Sequence, residues 1–403
     1  MTAIDAGIAT PEFDLVNRLL QPVGCNLFLA SSFRSQPLHL PRAESDVRES
    51  VFTWEDLVWF LETNRLEAPR VRLEGEGFNG QRILIPRMSP RKISVNTLDS
   101  ATLHRYLDEG ATLVADDLGE TNPRLALVMR ALRAVFGVPT QANAYATYRP
   151  LKGFGLHWDD HDVLVIQTEG RKHWTIYRPD RNWPLFKDFQ DLNTPPTEIH
   201  WSGVLERGEA LYVPRGWWHD VVAIDEPSLH VTIGFRSTTM VDFASFVLDR
   251  LRESEEVRED IHPFDLSRRR EQLQALRELV FAELTEVALD DYLEDRRLGL
   301  AVRPVLNLPS AILGPDNLAD FQLLPSGDLK ITCDEVGVHL RRGGRVVHLA
   351  PPAMPLVNAL SNSRMSLTSL VVLGEEHGLT EDQVTDLVKT LLRESVAKAY
   401  PRS

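Results

Sequence analysis

The sequence is poor in cysteine, in basic charge and in long hydrophobic runs. Only Cys25 and Cys333 are cysteines among 403 residues, so we expect neither a disulfide framework nor a cysteine-based zinc site. No run of about 18 apolar residues occurs, so no membrane-spanning segment is predicted. Residues 1–11 lack a basic stretch followed by an apolar one, so no signal peptide is predicted. These absences favour a soluble protein of the reducing cytoplasm.

Acidic residues outnumber basic ones, with 58 Asp+Glu against 44 Lys+Arg and a formal net charge of −14. Because neutralising phosphate groups requires a basic surface, this balance argues against broad binding to nucleic acid or to anionic membranes. A basic protein or peptide remains compatible as a partner. With 43% hydrophobic and 25% charged residues, the chain has the composition of a folded protein of two or three domains.

The pattern of apolar residues changes along the chain. The first part mixes short strands with helices, and helical spacing predicts helices over residues 96–105 and 122–136. Between residues 139 and 235, short apolar or alternating runs bounded by Gly, Pro and Asp predict an all-β barrel or sandwich. The predicted strands cover residues 143–148, 162–167, 173–177, 210–213 and 229–235.

Helices return after Thr239. One is marked by Phe243 and Leu251 and a second begins near Asp265, and their apolar stripes need a partner, which predicts a homodimer. The last 45 residues or so are predicted to form a helix–turn–helix, in which Thr380 and Gln383 form a capping box.

Three polar residues are of the types that bind metal ions. His157 and Asp159 are two positions apart, so on a β-strand the imidazole and the carboxylate would point to the same face. His219 follows a Gly-Glu…Pro-x-Gly turn and is the best candidate for a third ligand. Two His and one carboxylate bind Fe(II) and leave positions for a bidentate co-substrate and dioxygen. His161 is an alternative to His157, and an ordinary surface His beside acids is the non-metal alternative.

Lys172 follows an apolar strand and a turn. An ammonium group inside a barrel is costly unless a carboxylate pairs with it, and a co-substrate with a distal carboxylate would supply that partner. The alternative is a solvated turn lysine, and Arg171 shares this ambiguity. Five apolar residues are candidates either for the wall of the site or for the barrel core: Phe154, Leu156, Trp158, Trp217 and Trp218.

Five blocks of sequence, in this order, resemble the JmjC-type ribosomal oxygenases. These proteins are Fe(II)- and 2-oxoglutarate-dependent protein hydroxylases of the cupin superfamily. The blocks lie at residues 143–145, 153–160, 167–174, 208–219 and 228–232.

The resemblance implies roles for individual residues. Iron would bind His157, Asp159 and His219, and Lys172 would pair with the distal carboxylate of 2-oxoglutarate, with O2 as the second co-substrate. Asn143 and Tyr145 would line the pocket near the co-substrate and the target side chain. Thr147 and Thr232 are inward-facing candidates by strand alternation alone.

The resemblance also implies an α+β fold built on a double-stranded β-helix, the cupin or JmjC barrel, with flanking helices. Residues 1–240 would form the JmjC/cupin catalytic domain with an N-terminal extension of helices and strands. Residues 241–300 would form a helical dimerisation segment, and residues 301–403 a winged-helix-like domain.

The expected function is therefore hydroxylation of a side chain in a basic, ribosomal-protein-like protein or in a peptide. An alternative is the same chemistry on a natural-product peptide or small molecule. A DNA-binding regulator is a third hypothesis, prompted by the helix–turn–helix. Its second helix begins with Glu381 and Asp382, which are unfavourable in a groove lined with phosphates, so nucleic acid is not expected as the primary ligand.

Overall fold

The computed structural model describes residues 10–44, 47–75, 77–149, 154–186, 188, 195–224, 227–299, 305–307, 319–324, 329–343 and 345–401. The chain separates into two compact units, Met1–Ser237 and Thr238–Ser403. Among the described helices, none is both long enough and apolar enough to cross a membrane.

The first unit combines helices at its N-terminal side with a long series of strands. Its elements are α1 (Pro11–Leu19), α2 (Cys25–Ser31), β1 (Leu38–Leu40), α3 (Val47–Ser50), α4 (Trp54–Thr63), β2 (Val71–Glu74), β3 (Leu84–Met88), β4 (Ser94–Leu98), α5 (Ser100–Glu109), β5 (Thr112–Ala115), α6 (Pro123–Phe136), β6 (Thr140–Thr147), β7 (Asp162–Glu169), β8 (Lys172–Tyr177), β9 (Ile199–Leu205), β10 (Ala210–Val213), β11 (Trp218–Ala223) and β12 (Ser228–Phe235).

Two antiparallel sheets carry the site. One has the strand order β1-β10-β7-β12-β6-β5-β2, and the other has the order β11-β8-β9. Strand β7 is apolar on both faces: Leu164 and Ile166 belong to the core that packs under the helices, while Val163 and Val165 belong to a second core with residues of β8. A strand that is buried on both faces is expected to be a continuous apolar run, which is the pattern of residues 163–166.

Helix α6 illustrates why the local sequence folds as it does. The side chain of Asn122 accepts hydrogen bonds from the first backbone N–H groups, Pro123 occupies the first turn, and Gly137 ends the helix in a left-handed conformation. These are the residue types preferred at helix ends. The helix predicted over residues 122–136 is thus confirmed.

The helix predicted over residues 96–105 is wrong in its first half. Ser94–Leu98 is a strand that pairs with Leu84–Met88, and the helix starts only at Ser100. Asp99 separates the two elements, because its side chain accepts a hydrogen bond from the N–H of Thr102 and caps the helix. The five predicted strands are confirmed. Strands β9 and β11 were not predicted, since polar and aromatic residues interrupt their apolar pattern.

The second unit begins with helices and continues with two small sheets, of order β17-β13-β18 and β14-β15-β16, packed with helices around a separate core. Its elements are α7 (Met240–Arg250), α8 (Glu255–Arg258), α9 (Leu266–Glu283), α10 (Glu286–Gly299), β13 (Ala319–Leu323), β14 (Lys330–Cys333), β15 (Val338–Arg342), β16 (Arg345–Leu349), α11 (Met354–Asn362), β17 (Met365–Ser366), α12 (Leu367–Glu376), α13 (Glu381–Arg393) and β18 (Ala397–Pro401). The capping box of Thr380 and Gln383 is confirmed at the start of α13.

The apolar stripes of helices α7 and α9 differ in how far they are buried. Phe243 and Val247 of α7 are buried with Tyr292 of α10. Helix α9 buries none of its residues, and Leu273 and Phe281 are 50% and 82% exposed. The stripe of α7 therefore has a partner within the chain, whereas α9 leaves Leu273 and Phe281 exposed.

Candidate metal centre

The structure brings His157, Asp159 and His219 together. One potential ligand atom from each residue lies within 4.8 Å of the others, and His219 Nε2 is 3.7 Å from Asp159 Oδ2. This is the one such cluster of three or more His, Cys, Asp or Glu side chains found in the described part of the chain.

The expected reason for this convergence was wrong. His157 and Asp159 do not share a regular strand but lie in the irregular segment before β7. His157 instead forms a single antiparallel bridge with His219 at the start of β11. The backbone of Asp159 is held separately, because its carbonyl accepts a hydrogen bond of 3.0 Å from the N–H of Gly216.

Gly216 is required at this turn. Its φ is +86°, and a Cβ there would lie 2.5 Å from Pro184 Cδ. Only glycine combines this left-handed conformation with such close packing at little cost. The turn between β10 and β11 therefore places both the carbonyl of Asp159 and the side chain of His219.

Hydrogen bonds fix the ring orientation of both histidines. His157 Nδ1 lies 2.9 Å from the carbonyl oxygen of Gly155, and His219 Nδ1 lies 3.1 Å from that of Trp217. Because a carbonyl oxygen only accepts, each Nδ1 carries the proton and each Nε2 has a free lone pair. Metal-binding histidines are commonly oriented in this way.

Two causes lower the pKa of His219 to about 4: burial, which has the larger effect, and the nearby His157. The imidazole is therefore neutral at pH 7, as a metal ligand must be. Two neutral imidazole nitrogens and one carboxylate oxygen are the donor set of non-haem Fe(II) sites that keep open positions. The three residues fit such an ion.

His161, the alternative ligand, is engaged elsewhere. Its Nδ1 lies 2.9 Å from Asp160 Oδ1, and it is not part of the cluster. The structure therefore groups His157, and not His161, with Asp159 and His219.

The three residues face a cavity of about 250 Å³. The cavity wall combines apolar side chains with a few polar groups, as ligand sites commonly do. In addition to the three potential ligands, the lining residues are Arg72, Thr112, Tyr145, Thr147, Phe154, Gly155, Val163, Val165, Lys172, Trp174, Val221, Ala223, His230 and Thr232.

Lys172 is buried in this wall, with 3% of its surface exposed, so it is not a solvated turn lysine. Its Nζ donates to His230 Nδ1 at 2.9 Å, to the carbonyl of Tyr145 at 3.3 Å and to Thr147 Oγ1 at 3.4 Å. No carboxylate lies within 4.0 Å of Nζ among the described residues. Burial accordingly lowers the pKa of Lys172 to about 7.

The other predicted pocket residues have different positions. Tyr145, Thr147 and Thr232 line the cavity, whereas Asn143 does not. Asn143 Oδ1 accepts a hydrogen bond of 3.2 Å from the backbone N–H of Asp117.

Among the five apolar candidates for the wall, Phe154 lines the cavity. Trp217 belongs to the core between the sheets, and Trp218 donates its indole N–H to Asp180. Leu156 and Trp158 do not line the cavity. Gly153, the first residue of the second sequence block, lies outside the described residues.

Three polar lining residues were not predicted from the sequence: His230, Arg72 and Thr112. His230 is two positions before Thr232 on β12, so strand alternation alone would have placed it on the same face. Its ring stacks on Tyr145 with centroids 4.8 Å apart. Arg72 lies on β2 and pairs with Glu74 and Asp116. Its sequence neighbourhood contains no signal that would connect it with the distant blocks.

Known proteins resemble this chain in sequence and in fold. Residues 120–243 match the JmjC domain family. A protein of Brugia malayi named bifunctional lysine-specific demethylase and histidyl-hydroxylase NO66 is 38% identical over 124 residues, which cover 29% of this chain and 18% of that protein. A protein of the same name from Dictyostelium discoideum is 28% identical over 240 residues, covering 58% and 45%. Ribosomal oxygenase 1 of Danio rerio is 26% identical over 228 residues, covering 55% and 41%. The chain thus spans less than half the length of these curated relatives.

Solved structures show the same fold over most of the chain. The Escherichia coli ribosomal oxygenase YcfD matches with a TM-score of 0.56 and 16% identity, covering 93% of this chain and 97% of that one. The structure of YcfD in complex with cobalt and 2-oxoglutarate matches with a TM-score of 0.55 and 17% identity, covering 92% and 97%. At this identity the match establishes the fold.

The two sheets and the His-Asp-His cluster define a JmjC domain of the cupin superfamily. Residues 120–243 thus match a JmjC domain, and the predicted resemblance to the JmjC ribosomal oxygenases is confirmed.

Proposed function

We propose that this protein is an Fe(II)- and 2-oxoglutarate-dependent oxygenase that hydroxylates a side chain of a basic, ribosomal-protein-like protein or peptide. One observation carries the proposal. His157, Asp159 and His219 each place one potential ligand atom within 4.8 Å of the others, at a cavity whose wall also contains the buried cation Lys172. This lysine has no carboxylate within 4.0 Å among the described residues. A metal site and an anion site in one cavity fit a chelating co-substrate that has a second carboxylate.

Different residues of the cavity would hold the metal, bind the co-substrate and exclude water. His157, Asp159 and His219 would hold Fe(II), which with bound 2-oxoglutarate supplies the oxidation of a C–H bond by O2, with release of succinate and CO2. The ammonium of Lys172 would bind the distal carboxylate and orient the co-substrate. Val163, Val165 and Trp174 line the same cavity and would exclude water.

The substrate class follows from charge and from the relatives. The chain has a formal net charge of −14, which attracts a basic polypeptide and increases the rate of encounter. Two relatives that match over more than half of this chain are named ribosomal oxygenase 1, and ribosomal proteins are typically basic.

The proposal is tested by incubating the purified protein with iron, 2-oxoglutarate and individual basic ribosomal proteins. We expect succinate together with one product heavier by about 16 Da, the mass of one oxygen atom. Turnover of 2-oxoglutarate with no modified protein or peptide would contradict a polypeptide substrate. It would favour the alternative of a natural-product peptide or small molecule.

We further propose that residues 241–300 form a homodimer contact and that residues 301–403 act as a winged-helix-like domain. Support for the dimer comes from α9, which exposes Leu273 and Phe281 and buries none of its residues. Light scattering should give the mass of a dimer for the full chain and a monomer for Phe281→Asp combined with Leu273→Asp. A monomeric wild-type protein would contradict the dimer. The cytoplasmic location likewise remains a proposal.

A further inference from the structure

A second cavity in the first unit has an unusual charge for this acidic chain. It measures about 410 Å³ and is lined by three arginines, Arg34, Arg178 and Arg215, and by two tryptophans, Trp183 and Trp217. We call it the arginine pocket. Its volume lies within the roughly 300–1,000 Å³ of ordinary ligand sites. Although the chain as a whole has a net charge of −14, one carboxylate lines this pocket against three guanidinium groups.

That carboxylate, Asp162, positions the arginines and does not neutralise them. It is buried, and its Oδ1 accepts the backbone N–H of Arg215 at 2.8 Å. Its Oδ2 accepts the hydroxyl of Tyr212 at 2.9 Å, and the same hydroxyl oxygen accepts the backbone N–H of Arg34 at 2.8 Å. Both arginines are therefore held at their backbones by one buried network. The Arg34 guanidinium lies over the Phe33 ring, with its Cζ 4.9 Å from the ring centroid.

The guanidinium groups of Arg34 and Arg215 have no carboxylate within 4.0 Å among the residues that the structure describes. Arg178 pairs with Glu198 at 3.3 Å, but both side chains are mostly exposed, and such surface pairs are weak. Three like charges line one cavity, and an anion bound there would interact favourably with them. Guanidinium groups bind phosphate with two parallel hydrogen bonds.

Trp183 adds a flat apolar surface at the same pocket. Its side chain is 66% exposed, and its backbone has a φ of +50°, which is rare for a bulky residue. Arg34 has a φ of +60°. Two lining residues thus adopt the strained left-handed conformation, which is a common feature of ligand sites. An exposed indole beside arginines is the combination on which nucleobases stack.

We propose that the arginine pocket binds a nucleoside phosphate unit, with the phosphate on Arg34 and Arg215 and the base on Trp183. The unit has two sources with the same chemistry, a single-stranded RNA segment and a free nucleotide. The net charge argues against broad affinity for nucleic acid, and the proposed site is local. The pocket shares the turn after β10 with the metal centre, since Gly216 follows Arg215 and donates to the carbonyl of Asp159. The proposal does not depend on the hydroxylase activity.

The test is fluorescence anisotropy with the full chain and a labelled single-stranded RNA of about eight nucleotides, within the roughly 4–16 nucleotides of known single-strand sites. Arg34→Gln combined with Arg215→Gln should weaken binding at least about tenfold and make it less sensitive to salt, because two phosphate contacts are lost. Trp183→Ala should weaken it severalfold. Arg105→Gln combined with Arg252→Gln removes the same charge from other exposed positions and should leave binding nearly unchanged.

AMP, inorganic phosphate and a phosphoserine peptide distinguish the sources. RNA that binds at least about tenfold more tightly than AMP assigns the pocket to an RNA strand. AMP that competes at a similar concentration assigns it to free nucleotides. Equal binding of phosphate alone or of the phosphopeptide would overturn the nucleotide assignment, as would RNA binding that the arginine variants do not alter. Ultraviolet crosslinking of RNA to wild-type Trp183 gives a result that does not depend on whether the variants fold.

Discussion

The backbones of His157 and His219 are paired as one isolated antiparallel bridge. The N–H of His157 lies 3.1 Å from the carbonyl oxygen of His219, and the N–H of His219 lies 2.7 Å from that of His157. The ring centroids are 4.3 Å apart. Two potential ligands that are 62 positions apart in sequence are thus held side by side by backbone hydrogen bonds.

Substitution of His157 and of His161 should show which of these two histidines binds the metal. We expect His157→Ala to weaken binding of Co(II) or Fe(II) by more than about 100-fold, because even loss of an outer-shell partner costs roughly 10–100-fold. His161→Gln should bind the metal within a few-fold of the wild type. Anaerobic titration calorimetry measures both. The opposite order of effects would assign the ligand role to His161.

Replacement of Lys172 should have opposite effects on the stability of the fold and on the binding of the co-substrate. A buried cation without a carboxylate partner destabilises the ligand-free fold, so Lys172→Met should raise the free energy of unfolding by about 1–3 kcal/mol. The same variant should lose binding of 2-oxoglutarate. Thermal unfolding and calorimetry provide the two measurements. A less stable variant that still binds 2-oxoglutarate would contradict the proposed role.

The affinity for 2-oxoglutarate should depend on pH through Lys172. Burial lowers its pKa to about 7, so at higher pH the free protein has a neutral amine, and binding of the distal carboxylate must take up a proton. Between pH 7 and 9 we expect the affinity to fall by up to about tenfold per pH unit. Lys172→Arg keeps its charge in this range and should remove the dependence. A flat profile for the wild type would show that the lysine is already protonated.

The turn that leads into Lys172 should tolerate no side chain at Gly170. Its φ is +64°, and a Cβ would overlap the carbonyl oxygen of Pro227. Gly137 has a similar φ of +66° with nothing within 4 Å of an added Cβ. We therefore expect Gly137→Ala to cost about 1 kcal/mol and Gly170→Ala at least about 2 kcal/mol. Urea unfolding compares them, and equal costs would contradict the close packing.

Local patterns predicted most of the barrel and the composition of the site. Short apolar runs bounded by turn residues define individual strands, so five strands of the barrel were recognisable. The spacing of His157 and Asp159 and the turn before His219 identified three residues that the structure brings together. The strand–helix boundary at Asp99 was missed because helical spacing continued across the capping residue.

The remaining features depend on contacts between distant segments. No local pattern shows that His157 pairs with His219 by a bridge, so strand alternation offered a plausible but wrong cause. Arg72 reaches the cavity from β2, and the network around Asp162 connects Arg34 with Arg215. Such contacts follow from how strands are ordered in the sheet, and sequence spacing does not encode that order.

The most direct test of the proposed metal site and activity is coupled turnover with a basic ribosomal protein as substrate, measured for the wild type and for Asp159→Ala. We expect the wild-type protein to form one succinate for each modified substrate molecule, which is heavier by about 16 Da. Asp159→Ala should form neither product. Equal turnover by Asp159→Ala would show that the cluster of His157, Asp159 and His219 is not the metal site and would contradict the central claim.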